Sequence, residues 1–281
     1  MAKYLLHNFM IDEHVKNALR EDIGFGDIST DFLTTNKDLM TLYLNAREDG
    51  VLCGIDVFKR VFKILSNKIE FEIYHTDGDK IRKGDRIAKV TGLARFILTG
   101  ERTALNYVQR MSGIATKTAL YAKELHGTRA KISDTRKTTP GFRMFEKYAV
   151  KVGGGSMHRF NLSDCVMLKD NHISFAKSLK DAINKVKADI SHTHKIEVEC
   201  DTKAQVKEAL DAGADIIMLD NMTYDEIKES VKLINGKAII EASGGVKLDN
   251  VKKIADCGVD IISTSDIVAG AKPLDFGLDD K

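Results

Sequence analysis

Apolar and polar positions follow two different rhythms along this chain, and the change of rhythm divides it. Over the first hundred residues the pattern is mixed. Residues 12–21 predict a short helix and 41–46 a strand. Residues 56–65 carry Val57, Val61, Ile64 and Leu65 at helical spacing, and 69–74 alternate as a strand does. In DGDKIRKGDRIAKVTG, residues 77–92, Gly78 and Gly84 punctuate short alternating strands. An α+β unit with an antiparallel sheet follows. A long helix is predicted over 99–125, where Ala104, Leu105, Val108, Met111, Ile114 and Ala115 recur at three and four residues and mark one buried face. Beyond it, β-rich runs at 131–135, 165–168, 195–199, 215–219, 237–242 and 260–263 alternate with helical stretches near 175–188, 203–212, 225–234 and 248–257. From 195 onward each strand starts roughly 20 residues after the last, the spacing of βα units in a parallel sheet. An open doubly wound sheet and a barrel both fit.

Composition narrows the function. With 281 residues, 43% hydrophobic and 30% charged, the chain has material for one large core or two modest ones and is not a disordered polymer. The 43 Lys and Arg nearly cancel the 41 Asp and Glu, which argues against a general nucleic-acid or membrane-surface binder. No apolar run approaches the roughly 20 residues of a membrane helix. The polar residues His7, Asn8, Asp12, Glu13 and His14 argue against a secretory signal, so a cytoplasmic location is expected. Cys53, Cys165, Cys200 and Cys257 form no C-x-x-C pair, and free thiols are expected.

In parallel α/β folds, function collects at the carboxyl ends of the strands. Here those ends carry Arg136 and Lys137, then Lys169-Asp170-Asn171-His172, Glu197-Val198-Glu199, Asp220-Asn221, Ser243-Gly244-Gly245, and Thr264-Ser265. Solvation alone does not explain so many charged or phosphate-compatible ends in register. Residues 129–172 hold nine Lys or Arg against four acids, a balance of +5 in a nearly neutral chain, which suits a small polyanionic ligand. A basic exposed helix at 143–151 accounts for Arg143, Lys147 and Lys151, but not for Lys169. The turn Ser243-Gly244-Gly245 is a candidate phosphate site; Gly153-Gly154-Gly155 fits a phosphate loop or a plain tight turn equally well. Glu199 and Asp220 suit sugar hydroxyls, Mg²⁺ (direct or through water) or a developing cation. His192 and His194 precede a strand, away from this face, and read as a solvated loop. DGDKIRKGDRIAKV has the spacing of a biotinyl or lipoyl carrier module but lacks the lysine-bearing hairpin tip.

Taken together, EDIGFGDIST (21–30), GERTALNYVQRMSGIAT (100–116), DTRKTTPGFR (134–143), GGGSMHRFNLSD (153–164), MLKDNHI (167–173), EVE (197–199), MLDN (218–221) and EASGGV (241–246) resemble the quinolinate phosphoribosyltransferase family over nearly the whole chain. A paralogous family associated with molybdenum transport shares the scaffold but tends to lose the patterns around TRKTTPG and KDNH, both intact here.

The resemblance implies an α/β fold: an N-terminal α/β sandwich domain, residues 1–112, and an incomplete parallel α/β barrel of fewer than eight strands, residues 113–270. Residues 271–281 would pack back on the first domain. It implies phosphoribosyl transfer from 5-phosphoribosyl-1-pyrophosphate to quinolinate, with loss of pyrophosphate and CO₂ to give nicotinate mononucleotide, a step of NAD biosynthesis. The donor would come with Mg²⁺, and no organic cofactor is implied. A homodimer with shared sites is implied, Arg102 reaching the partner's site. Arg136, His158 and Arg159 resemble the quinolinate clamp, with Thr135 beside them. Lys137 and Lys169 resemble the lysines between dicarboxylate and phosphates. Glu199 and Asp220 resemble the acids near ribose and metal. Ser243, Gly244 and Gly245 resemble the 5-phosphate loop, with Thr264 and Ser265 nearby. One stretch departs from the family's Gly-containing turn followed by Leu-Thr-His-Ser. Ser265 replaces the Gly, Val268-Ala269-Gly270 replaces Thr-His-Ser, and Asp266 is a poor neighbour for an anion.

Overall fold

The computed structural model describes residues 6–176 and 178–280. In chain order the elements are α1 (Asn8–Ile23), α2 (Ile28–Leu33), β1 (Leu39–Ala46), β2 (Gly50–Val51), α3 (Ile55–Leu65), β3 (Glu70–Ile73), β4 (Lys80–Ile81), β5 (Arg86–Leu93) and α4 (Ala94–Glu124). There follow β6 (Lys131–Ser133), α5 (Arg143–Val152), β7 (Val166–Leu168), α6 (Asp170–Ala176), α7 (Leu179–Asp189), β8 (Ile196–Cys200) and α8 (Lys203–Asp211). The last are β9 (Ile216–Asp220), α9 (Tyr224–Ile234), β10 (Ile239–Ser243), α10 (Val251–Ala255), β11 (Ile261–Ser263), α11 (Asp266–Ala269) and β12 (Phe276–Asp279). They form two compact units. One comprises Met1–Ala119, Thr139–Gly154 and Ala271–Lys281; the other comprises Leu120–Thr138 and Gly155–Gly270.

The first unit is built on a sheet of order β12-β1-β5-β3, antiparallel throughout. β5 runs between β1 and β3 while β4 pairs with β2 in a separate two-stranded sheet, so residues 77–92 are shared between two sheets and are no free-standing carrier module. Apolar residues on one face of α3 (Val57, Phe58, Val61, Phe62) are fully buried, and so is the predicted face of α4 from Ala104 to Ala115. β12 adds an edge strand to β1, with Phe276 opposite Ala46 and Asp279 opposite Tyr43.

The basic exposed helix expected at 143–151 is a helix, but it is not exposed. Phe145 to Val150 of α5 are buried, and Glu146 and Lys147 have no accessible surface. Glu146 survives burial because its carboxylate is fully engaged. It accepts from Arg110 Nη2 (2.9 Å), from the Thr139 hydroxyl (2.9 Å) and from the Thr139 N–H (2.9 Å). Gly153 is a packing glycine: a Cβ there would lie 2.4 Å from the Ala115 carbonyl oxygen.

The second unit is a six-stranded, all-parallel sheet of order β6-β11-β10-β9-β8-β7. This is the order of a barrel cut between β6 and β7, strands consecutive in sequence; a single bridge, Ser133 to Ser156, forms at the cut. All six predicted strands are present within about two residues. The helix predicted at 175–188 is two, because Ser178 accepts a hydrogen bond from the Asp181 N–H and starts α7 afresh. Reciprocal capping boxes start α8 (Thr202 with Gln205) and α9 (Thr223 with Glu226) and fix where the loops leave the strand ends. The His192–His194 loop is solvent-exposed, as its polarity predicts. Among the described residues no helix is long and apolar enough to cross a membrane.

A Cβ on Gly113 of α4 would lie 2.0 Å from the Lys272 carbonyl oxygen. Gly113→Ala is expected to lower Tm by roughly 5 °C through backbone displacement. An unchanged melting curve would contradict this close approach.

Candidate active site

Side chains two residues apart on a strand point the same way, so each inward strand end contributes two levels of the same wall. In the parallel unit the pairs are Met167 and Lys169, Glu197 and Glu199, Met218 and Asp220, Glu241 and Ser243, and Ser263 and Ser265. A cavity of about 690 Å³ opens at the upper level. It is lined by Thr135, Arg136, Lys137, His158, Arg159, Lys169, Glu199, Asp220, Ser243, Gly244, Gly245, Thr264 and Ser265. The strand-end residues expected from the sequence are thus brought together. Arg102 is an exposed residue of α4 in the other unit and is not among them.

At the rim, charges meet in pairs. Lys169 Nζ is ion-paired with Glu199 Oε2. Asp220, at the next strand end, accepts 2.8 Å from Asn221 Nδ2. Burial, and then the neighbouring Glu199 carboxylate, push the Asp220 carboxyl above its ordinary value. Two neighbouring carboxylates at adjacent strand ends fit a divalent cation with oxygen ligands. Just ahead of β7, Arg159 gives Nη1 to the Cys165 carbonyl (2.9 Å), while its buried Nε has no partner among the described residues. Lys137 is exposed at the lip, and the Thr135 hydroxyl accepts its N–H at 3.0 Å.

Ser243-Gly244-Gly245 turns out of β10 with Gly244 at φ 91° and Gly245 at φ 59°. Gly244 admits no side chain, since a Cβ would fall 2.2 Å from Asn221 Oδ1. α10 begins only at Val251 and is five residues long, so any anion affinity here rests on the turn and the surrounding cations. Thr264 is buried, and its hydroxyl is committed: it donates to the Val246 carbonyl (3.2 Å) and accepts from the Asp266 N–H (3.2 Å).

Below the rim lies a buried cluster that the strand-end reading did not assemble. His158 Nε2 is 3.1 Å from Glu197 and 3.5 Å from Glu241, all three nearly inaccessible. The Arg159 N–H donates to His158 Nδ1 (2.9 Å), so Nδ1 is the acceptor and Nε2 carries the proton toward Glu197. Asp134, fully buried, accepts the His158 N–H at 2.8 Å. In this geometry the His158 ring faces the barrel floor, and both its nitrogens are engaged within the protein. The ligand atoms of His158, Glu197 and Glu241 lie within 4.8 Å of one another, but a cation there would have to displace the Nε2 proton. The signal for this layer was in the sequence: Glu197 shares a face with Glu199, and Glu241 with Ser243. Met167, Met218, Asn221, Lys247 and Asp266 also line the cavity, and the two methionines there are wall, not merely core.

Burial first, and then Glu197, raise the Glu241 carboxyl from 4.5 to about 7. The fold therefore holds a proton there that the unfolded chain has released, and stability is expected to fall as pH rises from about 4.5 to about 7. Glu241→Gln removes this group's titration, so denaturant midpoints measured across that window should lose part of their downward slope. An unaltered slope would place the proton elsewhere.

Residues 27–112 match the model of the quinolinate phosphoribosyl transferase N-terminal domain, and residues 114–279 match that of the C-terminal domain. The chain is 39% identical over 272 residues to a probable nicotinate-nucleotide pyrophosphorylase [carboxylating] of Methanothermobacter thermautotrophicus, covering 94% of this chain and 97% of that protein. It is equally identical over 274 residues to the Bacillus subtilis protein of that name, covering 98% and 94%. The crystal structure of NadC from Streptococcus pyogenes superposes with a TM-score of 0.94 at 43% identity, over 97% of this chain and 96% of that one. With both domain models matched in order and relatives aligned end to end, the chain belongs to the quinolinate phosphoribosyltransferase family.

Proposed function

We propose that this chain transfers the phosphoribosyl group of 5-phosphoribosyl-1-pyrophosphate to quinolinate, releasing pyrophosphate and CO₂ and forming nicotinate mononucleotide for NAD synthesis. The observation that carries this reading is the cavity's division of charge. Arg136 and Lys137 follow β6 and Arg159 lies between β6 and β7, whereas Asp220 and Glu199 end β9 and β8, three and four strands from β6 in the sheet order, with Lys169 following β7. A dicarboxylate and a polyphosphate repel one another, and these cations offset that repulsion. Planar guanidinium groups suit carboxylates, and the Lys137 and Lys169 ammonium groups suit phosphate oxygens. The unpartnered Nε of Arg159 is a donor available to such a carboxylate.

As the bond from C1 of the ribose to pyrophosphate weakens, positive charge grows on the ring. Glu199 and Asp220 stabilise it through space or through the ribose hydroxyls. The pyridine nitrogen attacks C1, and the pyridinium so formed accepts the electron pair left by the departing carboxylate. That step needs no organic cofactor. Mg²⁺ bound with the donor, at Glu199 and Asp220 directly or through water, would neutralise the leaving pyrophosphate. The Ser243–Gly245 turn, with Thr264 and Ser265 beside it, holds the 5-phosphate. His158 sets Arg159 from below through the Nδ1 contact.

The protein works as a homodimer in which Arg102 serves the partner's site. In support, Phe25, Ile28, Phe32 and Leu33 are large apolar side chains exposed on and before α2 of the Arg102-bearing unit, a surface suited to a second copy.

Incubation with quinolinate, the phosphoribosyl donor and Mg²⁺ should yield nicotinate mononucleotide and CO₂, with nicotinate a poor substitute. Absence of product would overturn the reading. Lys137→Ala and Lys169→Ala are each expected to cut kcat/KM by about 10²-fold or more. Near-normal turnover in both would refute their roles. Arg102→Ala and Lys169→Ala are each expected to be inactive, yet an equal mixture after subunit exchange should recover about a quarter of wild-type activity, since half the dimers carry one intact composite site. No recovery despite proven exchange would exclude a shared site.

A further inference from the structure

The segment that departs from the family pattern, 264–270, brings an acid to the cavity that the proposed reaction does not use. Asp266 lines the cavity beside Ser265 and the Ser243–Gly245 turn. Left to itself, a carboxylate there would repel a phosphate. It is not left to itself. Tyr121, on the last turns of α4 and without accessible surface, donates its hydroxyl to Asp266 Oδ2 at 2.5 Å. The Asp266 backbone is tied down as well, its N–H to Thr264 Oγ1 (3.2 Å) and its carbonyl to the Gly270 N–H (3.1 Å). Burial first, and then Asp266 itself, push the Tyr121 phenol well above its ordinary value, so the hydroxyl stays a donor.

We infer that Tyr121 is a positioning residue for donor binding: its hydroxyl holds the Asp266 carboxylate toward α4 and keeps that negative charge off the anion-binding turn. The inference rests on the reading of Ser243–Gly245 as the 5-phosphate turn. The Gly and Thr-His-Ser that the resemblance leads one to expect at 265–270 are absent, and a buried tyrosine that anchors the acid found there is present instead. The Tyr121 hydroxyl also has the Leu248 N–H as a partner, so the contact to Asp266 is not needed merely to satisfy a buried phenol.

The test is a double-mutant cycle read as separate Michaelis constants. Tyr121→Phe removes one hydroxyl and no volume. It is expected to raise KM for the phosphoribosyl donor about tenfold, leaving KM for quinolinate and kcat within about twofold, and the increase should shrink at high ionic strength. Asp266→Asn removes the charge and should lower donor KM. In the Asp266→Asn background, Tyr121→Phe should no longer affect it. A Tyr121→Phe effect that persists in that background, or that falls equally on kcat and on both substrates, would assign Tyr121 a merely structural role. An unchanged donor KM in Tyr121→Phe, or a raised one in Asp266→Asn, would overturn the inference outright; the Asp266→Asn measurement stands even if Tyr121→Phe fails to fold.

A further variant separates this inference from the reading beneath it. Gly245 sits at φ 59°, with nothing within 4 Å of a Cβ, a conformation that Asp tolerates. Gly245→Asp should raise donor KM by tenfold or more whatever Tyr121 does. If it does not, the turn is not the phosphate site and the inference falls with it. If it does while the cycle shows no coupling, only the role of Tyr121 fails.

Discussion

Charge on the inner face of a parallel sheet has to be balanced within the sheet, and the cavity-bearing unit is arranged around that requirement. Inward positions are cut off from bulk water, and an isolated ion there is costly. Four of the acids in and under the cavity have a local answer. Glu199 has Lys169, Glu197 has the ring Nε2 of His158, Glu241 has a proton affinity raised by burial, and Asp266 has Tyr121. The answers differ in kind with depth. At the rim the partner is a mobile lysine that a ligand can compete for. On the floor it is a fixed ring whose two nitrogens are already engaged.

That gradient separates groups that can meet substrate from groups that hold others still. Lys169 is nearly half exposed, and Glu199 little more than a sixth. A ligand entering the cavity can exchange that ion pair for its own contacts at small cost, because partly solvated pairs are weakly bound. His158, Glu197 and Glu241 offer no such exchange without losing buried hydrogen bonds. Exchangeable contacts thus lie in the upper layer and fixed geometry in the lower one.

The fold was legible where local chemistry and tertiary environment agree. The buried face of α4 and the six parallel strands follow from apolar spacing alone. The rim residues follow from a topological rule, that loops at the carboxyl ends of strands gather on one side. What escaped the reading is where a side chain's setting depends on distant partners. The helix of Glu146 and Lys147 read as solvated, because nothing local reveals that Arg110 and Thr139 close over the Glu146 carboxylate. The floor cluster joins residues 39 and 83 positions apart. Glu241 looked like a strand interior, although its parity with Ser243 places it under the cavity. β12 read as a tail, since an edge strand of four residues owes its existence to β1, over 230 residues earlier.

The pairing of β12 with β1 has a consequence for how the polypeptide acquires its shape during synthesis. The antiparallel unit is discontinuous, interrupted by the whole parallel sheet. Its edge closes only with a segment translated after every parallel strand has been made, and Gln109 receives that segment through its side-chain amide to the Phe276 carbonyl and its own carbonyl to the Leu274 N–H. Until then β1 presents an open row of backbone groups, the kind of template on which nascent chains mispair. The earliest-made half of the molecule is therefore the last to be finished, and vectorial folding from the amino end is built out of this architecture.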